Sequence, residues 1–160
     1  MTIFEIFRSH ADHNQAAKMS AYMRDQFPFC GLPTPERKKL SRPFLKAISA
    51  IDWDFIFALW EQPEREFQYF ACEALDKYKA QLTPADISNL RRLAITKSWW
   101  DTIDILDRIV GDIALRYPEV NKILLAWSLD DNIWLRRIAI DHQLTRKGNT
   151  DTTLLTQIIV

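Results

Sequence analysis

The chain has 160 residues, 48% of them apolar and 12% aromatic, with three glycines and a formal net charge of zero. That length suits one compact domain with a substantial core, and so little glycine excludes a turn-rich β architecture. No apolar run approaches the ~18 residues of a membrane span, and the start, Met1-Thr2-Ile3-Phe4-Glu5, lacks the basic and apolar regions of a signal peptide.

Helix starts are legible in chain order. Thr34-Pro35-Glu36 reads as N-cap, N1 proline and first-turn acid, and Thr83-Pro84-Ala85-Asp86 repeats that grammar. Ser98-Trp99-Trp100-Asp101 has the form of a capping box with Asp in place of Glu. Asp130-Asp131-Asn132 and Asn149-Thr150-Asp151 open two more helices, and Pro63 and Pro118 mark places where one helix stops or another begins. The predicted helices are roughly 2–10, 13–26, 35–49, 52–61, 63–81, 84–96, 99–117, 119–128, 132–147 and 151–160. The two cysteines, Cys30 and Cys72, have neither disulfide nor metal-site spacing, so buried thiols in a reducing cytoplasm are expected.

From residue 52 the pattern is periodic. First helices open near Asp52, Pro84, Glu119 and Asp151, and second helices near Pro63, Trp99 and Ile133. A period of roughly 32–36 residues is that of helical hairpins stacked into an α-solenoid, each burying an apolar stripe against the next. Phe67, Phe70, Ala74 and Tyr78 form one such stripe, and Trp99, Ile103, Leu106, Val110 and Ile113 another. An ordinary helical bundle also satisfies the composition; the spacing favours repeats. The chain closes on Leu154-Leu155-Thr156-Gln157-Ile158-Ile159-Val160, an apolar helix without a polar cap, so a single domain over 1–160 that stops inside a repeat is expected.

Charge is segregated along this neutral chain. Arg37, Lys38, Lys39, Arg42 and Lys46 cluster near the first third, and Asp52, Asp54, Glu61, Glu64, Glu66, Glu73 and Asp76 form an acidic stretch. Arg91, Arg92 and Lys97, then Arg136, Arg137, Arg146 and Lys147, restore positive charge. Such runs can build a basic face or belong to solvated helix surfaces.

Three residues do not fit the packing pattern. Trp100 lies about 100° from the core stripe of its helix, in line with Asp104, Asp107 and Gly111, and Trp100 and Asp104 are i,i+4 neighbours. A tryptophan beside a carboxylate at a helix start fits a working wall; packing under a neighbouring repeat, with a solvated Asp104, fits as well. Asp101 has a sufficient role as capping partner of Ser98. Arg137 shares a stripe with Ile133, Ile140 and Leu144, whereas Arg136 aligns with Gln143 and Lys147 on a wetter face. A cation rising from an apolar wall needs an anionic partner: a phosphate gripped bidentately, or Asp104 or another internal carboxylate. Tyr22 falls with Gln15, Lys18 and Gln26 on a polar stripe, where it can meet a ligand or simply be exposed.

Several blocks resemble one family. Tyr22-Met23-Arg24-Asp25-Gln26-Phe27 with Gly31-Leu32-Pro33-Thr34-Pro35-Glu36-Arg37 is similar to the N-terminal signature of the DNA alkylation repair enzymes, AlkD-type glycosylases. So are Pro63-Glu64-Arg65-Glu66-Phe67-Gln68, Lys97-Ser98-Trp99-Trp100-Asp101 and Asp131-Asn132-Ile133-Trp134-Leu135-Arg136-Arg137. The resemblance implies a right-handed α-solenoid of HEAT-like repeats whose concave basic face cradles duplex DNA. It implies excision of cationic N3- or N7-alkylated purines without a metal, a cofactor or the usual base-flipping pocket. The family's catalytic tryptophan, aspartate and arginine fall on Trp100, Asp104 and Arg137, and a DNA-contacting tyrosine falls on Tyr22. Lys97, Arg136 and Lys147 are the further cations expected on phosphates. A later tryptophan of the family, in a Gly-Trp segment, has no counterpart before Val160.

The chemistry suits the residue types. An alkylated purine cation is already a good leaving group, and charge then develops on the sugar, where a carboxylate can stabilise it and an indole face can add a cation–π term. The resemblance implies alkylated duplex DNA as the partner, and a monomer in the cytoplasm is expected. A non-catalytic helical scaffold for protein or nucleic acid is the alternative, and it has no need of the Trp100, Asp104 and Arg137 set. His10, His13 and His142 lack metal-ligand spacing with the cysteines, and no phosphate-binding glycine loop is present.

Overall fold

The computed structural model describes all residues, Met1–Val160, and its regular elements are all helical. The chain forms two compact units, residues 1–74 and 75–160, with the boundary inside one helix. No helix is long and apolar enough to cross a membrane.

In the first unit, α1 (Ile3–Ser9) opens with a reciprocal capping box between Thr2 and Glu5. The Asp12 carboxylate caps α2 (His13–Tyr22) by accepting from the amides of Asn14 and Gln15. Helix α3 (Thr34–Ala47) follows, and Asp52 caps α4 (Trp53–Glu61) in the same way as Asp12 caps α2. Helix α5 (Arg65–Lys77) carries the chain across the unit boundary. Ile3, Phe7, Ile56, Leu59, Phe67 and Phe70 are at most 2% exposed and make the core. The Phe7 ring lies 5.5 Å from Phe67 and 6.4 Å from Phe70, and each such ring stabilises by about 1.5–3 kcal/mol through burial alone.

The acidic stretch is not one solvated surface. Glu66 is fully buried, and its carboxylate accepts from the amides of Cys30, Gly31 and Leu32 at 2.8, 2.8 and 3.0 Å. Beside it Arg65, also fully buried, lays its guanidinium 3.7 Å from the Phe27 ring centroid and donates its amide to the Pro28 carbonyl. The start of α5 therefore holds the 27–32 loop. Gly31 is required there: its φ is +96°, and a Cβ would sit 2.0 Å from the Asp12 carbonyl oxygen. Arg37, expected in a basic cluster, is instead 8% exposed and bonds Glu73 at 2.7 Å.

In the second unit, α6 (Ile87–Ala94) packs on α7 (Trp100–Arg116), and α8 (Asn121–Trp127) packs on α9 (Ile133–Asp141). Helix α10 (Thr152–Ile159) packs on both α8 and α9. First helices thus open at Trp53, Ile87, Asn121 and Thr152, and second helices at Arg65, Trp100 and Ile133, as the periodicity requires. The expected stripe of α7 is the core: Ile103, Leu106, Val110 and Ile113 are at most 1% exposed. Cys30 and Cys72 are buried free thiols, and burial pushes Cys30 up to about 12.

Three helices end earlier than their sequence pattern. Helix α2 stops at Tyr22 because Arg24 and Asp25 turn left-handed, with φ of 55° and 56°. The 63–81 segment divides into α5 and a 3-10 turn at Lys79–Gln81. Helix α9 stops at Asp141 instead of running to 147, because the Gln143 side chain both accepts from the Asp151 amide and donates to its carbonyl. A side-chain amide pairing with distant backbone outweighs local helical propensity here.

Candidate active site

The second unit brings two of the expected residues into direct contact. Arg137 donates from Nε to Oδ1 of Asp104 and from Nη2 to Oδ2, both at 2.7 Å, a bidentate fork. The two side chains are 43% and 38% exposed. An exposed pair of this kind contributes at most about 1 kcal/mol to folding, so it can exchange partners at little cost. Of the anionic partners open to Arg137 on sequence grounds, Asp104 is the one it holds here. Asp141, one turn along α9, lies 3.7 Å from Arg137 Nε. The neighbouring carboxylates raise the Arg137 pKa above its ordinary value, chiefly through the Asp104 bond.

The environment of Arg137 differs from the expected apolar wall. Ile133, Ile140 and Leu144 are 60%, 47% and 76% exposed, and the buried face of α9 is Leu135, Ile138 and Ala139. Arg137 therefore stands beside an open groove of about 460 Å³, lined by Ile133, Trp134, Arg136, Arg137, Ile140 and Asp141. Its charge needs no burial-compensating partner; the pairing with Asp104 is set by how α7 and α9 meet.

That meeting is made possible by Gly111. A Cβ at this position would lie 2.0 Å from the backbone carbonyl of His142, so only glycine admits the approach of the end of α9. The Gly111 carbonyl also accepts from Nη2 of Arg146 at 2.7 Å, which places Arg146 in packing rather than on a basic surface. Two turns before Gly111, Asp104 faces Arg137. Asp104, Asp107 and Gly111, which share one stripe of the helical wheel with Trp100, thus lie on the face that α7 turns toward α9.

Asp107 is the residue that sequence reasoning left without a role. It is 2% exposed, its Oδ1 has no hydrogen-bond partner, and desolvation first, then Asp104 and Asp141, push it up to about 7. Its position in line with Asp104 was the available signal; its burial depends on α9. Carboxylate oxygens of Asp104, Asp107 and Asp141 lie within 4.8 Å of one another. In outline that is an oxygen set for a hard cation, but Arg137 already holds both oxygens of Asp104 and approaches Asp141.

Trp100 is the first residue of α7, 39% exposed, one turn before Asp104. Its neighbour Trp99 is the N-cap residue and packs against Trp134, with ring centroids 5.9 Å apart and the planes tilted by 53°. The expected capping box between Ser98 and Asp101 does not form: Ser98 Oγ donates back to the Ala94 carbonyl, and Asp101 accepts from the Thr102 amide. Asp101 acts as a first-turn anion at a helix N-terminus.

The remaining candidates are dispersed. Lys97 occupies the turn before α7 with φ of 51° and is half-buried. Arg136 donates Nη1 to the carbonyls of Asp130 and Asp131, and Lys147 is exposed in the 3-10 turn Lys147–Asn149. Tyr22, in the first unit, ends α2 and is 73% exposed.

A helical-repeat protein carrying a carboxylate–arginine fork beside an exposed tryptophan is the class that fold and site define. The family model for DNA alkylation repair enzymes matches residues 3–160, and the chain belongs to that family. Among solved structures it is similar to one described as a predicted DNA alkylation repair enzyme from Enterococcus faecalis, at 30% identity and a TM-score of 0.83. The match covers 93% of this chain and 72% of that one. Comparison with curated proteins returns no match.

Proposed function

We propose that this protein is a DNA glycosylase that hydrolyses the N-glycosidic bond of cationic N3- or N7-alkylated purines in duplex DNA, without drawing the base into an enclosed pocket. The observation that carries the reading is the Asp104–Arg137 fork at 2.7 Å, one turn from an exposed Trp100, in a member of an alkylation-repair family. In the resting protein Arg137 neutralises Asp104. A backbone phosphate competes for the guanidinium with the same bidentate geometry, and the exposed pair opens at little cost. The released carboxylate then faces the sugar.

The lesion base leaves as a neutral purine, taking the bonding electrons with it, so no strong general acid is needed. Positive charge grows on the sugar in an oxocarbenium-like transition state. Asp104 stabilises that charge and orients the attacking water, whose proton it can accept. Trp100 presents an indole face to the same cation. The open groove beside Arg137 suits a strand lying along α9 better than an extruded base.

The test is Asp104→Asn, assayed for release of 7-alkylguanine from alkylated duplex. Removing one placed electrostatic stabiliser costs ~10²–10³-fold in rate, while binding to undamaged duplex stays within a few-fold. Release at the parental rate by a folded variant rejects the mechanism.

A further inference from the structure

Accepting the reading of Asp104 and Arg137 above, we infer that Asp107 is a positioning residue: it carries the one proton of the Asp104–Asp107–Asp141 cluster, and that proton sets how firmly Arg137 is held.

Carboxylate oxygens of the three lie within 4.8 Å of one another, and the cation that reaches two of them, Asp104 and Asp141, is Arg137. Three negative charges against one positive charge at this spacing cannot all persist in a partly dry site, so one carboxyl keeps its proton. Burial decides which. Asp104 and Asp141 are 38% and 28% exposed and both reach Arg137, whereas Asp107 is 2% exposed with an unpartnered Oδ1. Its position near pH 7 follows from desolvation first, then from Asp104 on α7 and Asp141 on α9, against the opposing help of the Arg108 amide and charge. The other charged groups around α7 have their own partners: Arg146 donates to the Gly111 carbonyl one turn on from Asp107, Arg116 pairs with Asp112, Lys79 with Asp76 and Arg91 of α6 with Asp130, while burial keeps His142, at the end of α9, neutral near pH 7.

With Asp107 neutral, the cluster offers Arg137 two charges, one of them in direct contact. When Asp107 gives its proton to solvent, a third charge sits behind the fork in a low-dielectric site and tightens the hold on the guanidinium. Arg137 then exchanges to a phosphate less readily. Acidification loosens the fork and favours DNA; alkaline conditions lock it.

Two readouts test this, one of them without DNA. In the DNA-free protein, hydrogen exchange of Arg137 Nε–H is followed by nitrogen-15 NMR from pH 6 to 8.5, with the aspartate carboxyl carbons titrated in parallel. Relative to base-catalysed exchange of an exposed arginine, protection rises through about pH 7 in the parent, alongside one carboxyl titration near 7. Asp107→Asn abolishes both changes. Asp141→Asn keeps them at lower pH, and serves also should Asp107→Asn fold poorly. In the second readout, Kd for undamaged duplex at constant ionic strength weakens about tenfold across the same range in the parent and stays flat in Asp107→Asn. A protection step that persists in Asp107→Asn, or no carboxyl titrating near 7, overturns the inference. Absence of DNA binding with the protection step intact rejects the reading of the site and leaves the role of Asp107 standing.

Discussion

Asp107 and His142 are buried to the same extent and displaced in opposite directions. Asp107 rises from the ordinary carboxylate value to about 7, so its contribution to stability is full in acid and is lost as pH rises through 7. His142, 2% exposed, is depressed to about 4, first by burial, with Arg146 adding to it, while its Nδ1 bonds the Ala139 carbonyl at 2.8 Å. Its Nε2 is buried without a partner, so protonation there buries an unmatched charge. The histidine contribution is present above pH 6.5 and is lost as pH falls toward 4. The two slopes offset each other between those limits. Asp107→Asn removes one, so its melting temperature should drop more steeply than the parent's from pH 6.5 to 4. Melting curves that stay parallel across that range contradict the assignment.

At the scale of elements, the site is a consequence of the approach of α7 and α9. Trp100, Asp104, Asp107 and Gly111 share a stripe because a helix repeats every 3.6 residues, and that much is arithmetic. Gly111 lets the His142 carbonyl come so close that no side chain fits between. Gly111→Ala must therefore displace backbone, not a flexible side chain. We expect a loss of about 1–3 kcal/mol in chemical denaturation. Arg137 Nε–H should also lose its protection, since the fork to Asp104 depends on the same approach. Unchanged protection in Gly111→Ala would mean that the fork is positioned by something other than this contact.

Across the whole chain, neutral net charge means that affinity for duplex DNA must come from local cations. If the proposed function holds, log Kd for duplex is linear in log salt, with a slope near 0.9 per phosphate contacted. Arg137→Ala and Lys147→Ala should each lower that slope by about one. The buried Arg37, paired with Glu73, should be lost as a folding residue and not as a DNA contact: Arg37→Ala lowers stability by ~2 kcal/mol or more with no change of slope. Salt-independent binding would remove the DNA reading altogether.

By itself the sequence determined the helical class, the period of the helix pairs, the caps at Thr83, Asn132 and Asp151 but not those expected at Thr34 and Ser98, and the face on which Trp100 and Asp104 lie. These are local properties: apolar spacing, capping chemistry and proline placement act within one or two turns. It did not determine which charged residues are interior. Glu66 and Arg37 read as parts of charged runs, and Arg65 carried no packing signal, yet each is buried against a loop or helix about 35 residues away in sequence. Nor did it decide whether Arg137 faces solvent, phosphate or Asp104, or that Asp107 is covered. Those outcomes depend on where α9 comes to rest against α7, on a close approach admitted by one glycine and on the side-chain pairing of Gln143 that ends α9. Burial and ion pairing are properties of two surfaces meeting, and one segment's pattern specifies only its own side of that contact.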